Sequence, residues 1–195
     1  MITSRRVFED HAGDYDQWFD DHDDTYLAQL RILHAAVPDC SHGLEVGVGS
    51  GRFAVPLGIC YGIDPSPALI QMAKRRGVEV VIGEGEHLPY RDCSFDYVLM
   101  MTVVCFLDDP LTVFREARRV LVSEGNLIVG FIEKDGDIAT LYRNEKTKGR
   151  FLQFARFLTE NEGIRFFYDT NFIKVSVVSR SRGFCVMIGQ KKGNK

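Results

Sequence analysis

Residues 44–53 read LEVGVGSGRF, with glycines at 47, 49 and 51 directly behind a short apolar run that carries one acid, Glu45. Glycines at alternate positions end a strand and permit the backbone conformations of a tight, ligand-cradling loop. From here strand and helix signals alternate. GLEVGV, ICYGID, VEVVIG, FDYVLMMTVV and NLIVGFI read as strands, the fourth apolar enough to be buried on both faces. GRFAVPLG reads as a short helix cut by Pro56. In DPSPALIQMAKRRG, Ser66 is the expected N-cap, Pro67 the first helical residue and Gly77 the stop, with Lys74, Arg75 and Arg76 where the helix dipole favours cations. Asp109-Pro110 opens a helix with the stripe Val113, Phe114, Ala117, Val120 and Leu121, and Ser123-Glu124-Gly125 turns the chain. This alternation predicts a parallel sheet with helices on both faces and a ligand at the carboxyl ends of the strands.

The flanks differ. The first forty residues read as helical: in DDTYLAQLRILHAAVP the apolar positions Tyr26, Leu27, Leu30, Leu33 and Val37 keep a helical period, Asp24 or Thr25 can cap the start, and Pro38 marks the end. Toward the other end, TENE at 159–162 fits a capping box of Thr159 and Glu162, and GIRFFYDTNF continues that helix. FIKVSVVSR and GFCVMIGQKK then form an antiparallel hairpin about Arg182-Gly183 that closes one sheet edge.

At 195 residues, with no internal repeat or low-complexity linker, a single domain is expected. The net charge of −3 and pI near 6.0 give no electrostatic reason to expect nucleic acid or an anionic membrane as partner. No apolar run approaches about 18 residues, and the N-terminus lacks a signal-peptide core. Five cysteines without CxxC spacing, and histidines without an HxxxH pair, give no support for a disulfide framework or a metal site. A reduced, cytoplasmic protein is expected.

Three ligands suit such a loop at first sight: a dinucleotide, a phosphate and a sulfonium cofactor. GxGxxG is not met, because position 52 is Arg where the third glycine would stand, and GxxxxGK[ST] is absent. Glu45 would repel a pyrophosphate but suits a ligand ammonium. The second strand ends in Asp64, whose carboxylate can accept from both ribose hydroxyls of any adenosine ligand. The third runs into GEGEHLPY, where Glu84 can accept from an adenine amino group and the Gly85 N–H can donate to the ring. Together these loops suit an adenosine with a zwitterionic amino-acid tail, S-adenosylmethionine (SAM).

LEVGVGSGRF, YGIDPSP, GEGEHLPYRDCSFDYVLM, TVVCFLDDP and FREARRVLVSEGNLIVG follow the order and spacing of class I SAM-dependent methyltransferases. The chain most resembles the small enzymes similar to the ubiquinone/menaquinone-biosynthesis methyltransferases (methyltransferase type 11), from about Phe8 through Lys192. The resemblance implies a Rossmann-like α/β three-layer sandwich with seven strands in order 3-2-1-4-5-7-6, strand 7 antiparallel. It implies a helical lid over 1–40, a SAM-binding core over 41–132, a substrate-side segment over 133–158, and a last helix and hairpin over 159–195. By position, Glu45 and the Gly47 backbone would hold the methionine amino group, and Gly49 would let the loop approach the cofactor. Asp64 would take the ribose, Pro65 would pack near the adenine, and Glu84 and Gly85 would read its edge. Thr102 and Val103 would line the methionine moiety. FEDHAGDYDQWF resembles the family's lid helix, whose tyrosine, here Tyr15, faces cofactor or substrate.

The implied activity is SN2 methyl transfer to a small-molecule acceptor, releasing S-adenosylhomocysteine (SAH), with no defined catalytic constellation. A non-catalytic SAM-binding protein and an NAD(P)-dependent oxidoreductase are the alternatives. His11 and His87 are candidates for proton transfer or plain loop residues, and Cys105 for an active-site thiol or core packing. Asp20, Asp21, Asp23 and Asp24 lack the pattern of a calcium loop and read as a solvated face plus a helix cap. Lys134, Arg143, Lys146, Lys148, Arg150 and Arg156 either attract an anionic acceptor or form a solvated face.

Overall fold

In the computed structural model, which describes residues 4–38, 42–144, 150–181 and 183–193, three helices precede the sheet: α1 (Ser4–Asp10), α2 (Ala12–Asp21) and α3 (Asp23–Ala36). The helix α3 ends one residue before Val37, whose extended backbone is what a following proline imposes. Its start differs from expectation. His22 stands at the cap position without a side-chain cap bond, and Asp24 and Thr25 lie inside the first turn. Asp23 and Asp24 there favour the positive end of the helix dipole.

The strands are β1 (Gly43–Val46), β2 (Tyr61–Asp64), β3 (Glu79–Ile82), β4 (Phe95–Met101), β5 (Leu121–Ile132), β6 (Phe172–Ser181) and β7 (Phe184–Lys191). They form one sheet in the order β3-β2-β1-β4-β5-β7-β6. The first five run parallel, and β7 is antiparallel to both β5 and β6. The helices α4 (Pro67–Arg75), α5 (Pro110–Val120), α6 (Asp137–Asn144) and α7 (Glu160–Asp169) complete the layers. One cluster packs α5 and α7 on one face, through Val113, Phe114, Ala117 and Phe167. The other packs α2, α3 and α4 on the opposite face, through Phe19, Leu33, Ile70 and Ala73.

The punctuation follows the sequence at most ends. Ser66 Oγ accepts from the Leu69 N–H at 3.2 Å, with Pro67 first in α4. Asp109 caps α5, and Thr159 and Glu162 form the reciprocal capping box of α7. GRFAVPLG is the exception. It forms consecutive turns rather than a helix, with isolated bonds such as Val55 N to Gly51 O at 3.2 Å. Pro56 supplies no N–H to join them.

The loop after β3 is fastened from below. Arg119 of α5 donates to the carbonyls of Leu88 (2.9 Å) and Tyr90 (2.8 Å), and Glu116 accepts from the Leu88 N–H at 2.9 Å. Phe167 is fully buried between Phe114 and Phe172, with ring centroids 5.2 and 5.6 Å away. Phe167→Ala is expected to cost about 3–5 kcal/mol, read as a lowered denaturation midpoint.

Candidate functional site

The carboxyl ends of β1, β2 and β4 meet at the glycine loop. Gly47 has φ +74° and Gly49 φ +53°. A Cβ on Gly47 would lie 2.6 Å from Val103 Cγ2, and one on Gly49 3.2 Å from the Tyr15 ring. Bare backbone at these points lets β4's end and the lid close directly on the loop.

Asp64 organises the centre. Its Oδ2 accepts from the Gly49 N–H at 3.0 Å and its Oδ1 from the Ser66 N–H at 2.9 Å. Burial pushes its carboxyl up to about 6, against those two bonds. Glu45 is 1% exposed and lies beneath the loop; its Oε2 has no hydrogen-bond partner among the described residues. Burial, then the Asp64 charge, raises the Glu45 carboxyl well above its usual range. Tyr15 is half-buried against the loop, and desolvation followed by the Asp64 and Glu45 charges raises its phenol. Thr102 follows β4 at φ +56°, a conformation that costs a β-branched residue energy and turns the chain sharply at the cavity wall.

Two adjoining hollows occupy this end of the sheet. A cleft of about 70 Å³ is lined by Pro65, Glu84, Gly85 and Val103. A cavity of about 700 Å³ shares Gly47, Pro65 and Val103 with it and adds Tyr15, Gly49, Asp64 and Thr102. Of the ten residues that the resemblance implied as cofactor contacts, only Glu45 stands off these walls.

The other candidates fall elsewhere. His87 is exposed and lines neither hollow. His11 lies against the Arg150 guanidinium, with Nδ1 3.0 Å from its nitrogen. Cys105 is buried, donates to the Thr102 carbonyl at 3.3 Å, and has its thiol pushed up to about 12 by desolvation; it packs. Asp20 is no free surface acid, since it accepts from Arg52. Among the described residues no cluster of histidine, cysteine or acid side chains can hold a metal ion. Arg150 lines the large cavity but is ion-paired with Asp14, and Lys134 and Arg156 are exposed. Lys146, Lys148 and the Arg143 side chain lie outside the described residues.

Sequence reasoning missed the attachments of α1 and α2 to the body. Glu9 of α1 accepts from Ser66 Oγ and from the Ala68 N–H at 3.0 Å. Arg5 pairs with Glu84. Asp16 of α2 is held by Arg52 at 2.9 Å and Arg76 at 2.7 Å. Burial opposes the Asp16 charge, but the two guanidiniums hold its carboxyl well below the usual carboxylate range. The one available signal was an arginine at position 52 where a dinucleotide loop carries glycine.

A Rossmann-like sheet with an antiparallel seventh strand, a glycine loop and a carboxylate at the end of β2 defines a class of SAM-binding transferases. A methyltransferase-domain family profile matches residues 44–129. A solved structure from Thermotoga maritima, described as a SAM-dependent methyltransferase and possible histamine N-methyltransferase, is 35% identical. It superposes with TM-score 0.90 over 95% of this chain and 99% of that one. An uncharacterized protein of Methanocaldococcus jannaschii is 38% identical over 166 residues, 85% of this chain and 80% of the relative. An uncharacterized Mycobacterium tuberculosis protein is also 38% identical, but this chain spans only 58% of its length. The chain belongs to the SAM-dependent methyltransferase family, and SAM is its cofactor.

The residues present fit that cofactor. Each Asp64 oxygen uses one lone pair on a backbone N–H and keeps capacity for a hydroxyl. The orphaned Glu45 oxygen is a buried acceptor suited to a ligand ammonium.

The raised carboxyls carry a sign. The ligand-free fold holds the Asp64 proton more tightly than the unfolded chain, so its contribution is present below the unfolded value of 3.8 and lost as pH rises through about 6. Over that window about 3 kcal/mol of stability should disappear. Asp64→Asn should flatten the slope of ligand-free stability between about pH 4 and pH 7 in denaturant melts. An unchanged slope would refute the assignment.

Proposed function

We propose that this enzyme methylates a small-molecule acceptor within the lidded cavity, releasing SAH. The observation that carries this reading is the cavity of about 700 Å³ between the lid helices and the cofactor loops, a volume within the range of small-molecule sites. The net charge of −3 speaks for a small acceptor over a nucleic acid. The description of the Thermotoga maritima protein makes amines the first acceptors to try. In this reading the chain is one domain: lid over 1–40, cofactor core over 41–132, substrate-side segment over 133–158, and closing helix and hairpin over 159–195. The four described cysteines are all free, in keeping with work in a reducing cytoplasm.

Bound SAM supplies a methyl group already activated on a sulfonium. The protein's tasks are then to bind, align and keep water out. Asp64 takes the ribose hydroxyls, and Glu45 with the Gly47 backbone holds the amino group. Glu84 and Gly85 read the adenine edge beside Pro65. Tyr15, Thr102 and Val103 enclose the methionine side, where alignment alone is worth ~7–11 kcal/mol of barrier. Glu84, already paired with Arg5, still has acceptor capacity for an adenine amino group.

Calorimetric titration with SAM, SAH and NAD tests the reading. Micromolar binding of SAM and SAH without NAD is expected, followed by SAH formation in an acceptor screen. Cofactor binding with no turnover on any acceptor would favour a non-catalytic role. Asp64→Ala removes hydrogen bonds worth ~1.5–3 kcal/mol each, so SAH affinity should fall about tenfold or more. Unchanged affinity would sink the ribose assignment.

A further inference from the structure

Beyond the cofactor loops, the large cavity continues between the lid and the ends of β4 and β5. Its floor and far wall are apolar: Met101, Ile132, Ile138 and Leu152. Phe8 and Phe151 stack at 5.0 Å along one side, with Tyr15 edge-on to both. The opposite wall is different. His22, Thr25 and Gln29 all line the cavity, and their spacing places them on one face at the start of α3. His22 and Thr25 stand at the exposed mouth and Gln29 is half-buried.

This polar stripe has unused hydrogen-bonding capacity. The His22 Nδ1 lies 3.0 Å from the Trp18 carbonyl, which only accepts, so Nδ1 carries the hydrogen and Nε2 is left to meet a ligand. The imidazole is stacked on the Trp18 ring at 4.7 Å and 13°, which fixes its direction. No described residue hydrogen-bonds the Gln29 carboxamide, which offers both a donor and an acceptor. A ligand that covers this half-buried amide must complete its bonds, because one that cannot leaves the amide stripped of water and unpaired. Apart from Asp64 at the cofactor loops, the carboxylates and guanidiniums on the wall are matched: Arg5 is paired with Glu84 and Arg150 with Asp14. An anion entering here would have to break one of those pairs.

Resting on the small-molecule reading above, we propose that His22, Thr25 and Gln29 form the specificity edge of the acceptor compartment. The acceptor they select is an uncharged aromatic compound bearing a hydrogen-bonding group. The ring lies among the aromatic and aliphatic walls, and its polar group meets the lid stripe.

Trp18 is the chain's single tryptophan and lines this cavity, so its emission reports the compartment directly. The full-length protein, saturated with SAH, is titrated with benzamide, benzoate and cyclohexanecarboxamide. Benzamide should shift the emission saturably, with the anion and the non-aromatic amide roughly tenfold weaker or more. Gln29→Leu should weaken benzamide about tenfold while leaving calorimetric SAH affinity unchanged. Equal or tighter binding of benzoate, unaltered benzamide affinity in Gln29→Leu, or no saturable response to any of the three overturns the proposal. Failure to bind SAH at all is a separate result, which strikes the methyl-transfer reading instead.

Discussion

The Asp64 carboxylate is the joint on which the rest of the site turns. One oxygen fixes the Gly49 amide of the loop and the other the Ser66 amide that starts α4. The loop is further held because the Gly47 and Val48 N–H groups both donate to the Ile63 carbonyl, at 2.8 and 3.1 Å. A buried polar group is tolerated when its bonds are made, and these bonds give the loop a single shape. Ser66 carries the linkage onward: its hydroxyl accepts from α4 and donates to Glu9 of the lid. A path of hydrogen bonds thus runs from the end of β2 to the first helix of the chain.

The three N-terminal helices are fastened to the body by charges at their edge, while Phe19, Leu30 and Leu33 carry them into the core. Glu9, Arg5, Asp14 and Asp16 each reach a different part of the body: α4, the loop after β3, the 150–154 segment, and the Arg52–Arg76 pair. Partly exposed ion pairs are individually weak and screened by salt.

Most of the fold was legible from local chemistry. Pro67 behind Ser66, Pro110 behind Asp109, and Thr159 with Glu162 each mark a helix start that the backbone adopts. The doubly buried β4 showed as an apolar run broken only by Asp96, the one exposed residue of the strand. The failures share a cause. Whether 51–58 becomes a helix depends on bonds that Pro56 interrupts, and whether His22 or Asp24 begins α3 depends on how α2 ends against the body. The contacts of α1 and α2 with the body join residues as far apart in sequence as Arg5 and Glu84, 79 positions, and Asp14 and Arg150, 136 positions, and no periodicity encodes them. The glycine loop and Asp64 were readable because backbone constraint forces glycine and a carboxylate at fixed points; the large cavity draws its walls from α1, α2, α3, the ends of β4 and β5, α6 and residues 150–152 as well as from these loops, and has no such signature.

The arginine at 52 ties these themes together. In a dinucleotide loop a third glycine lets a helix pack tightly on the strand, and that helix points its positive end at a pyrophosphate. Here the segment after the loop is a run of turns, so no helix dipole is aimed at an anion. The two buried carboxylates, Glu45 and Asp64, make the same place hostile to phosphate. Freed from close helix packing, position 52 carries a long side chain outward, where its guanidinium takes Asp16 and Asp20 and lies 5.8 Å from the Phe19 ring. The departure that removes a pyrophosphate site thus anchors the lid, and the carboxylates that repel phosphate are those that suit the ribose and ammonium of SAM.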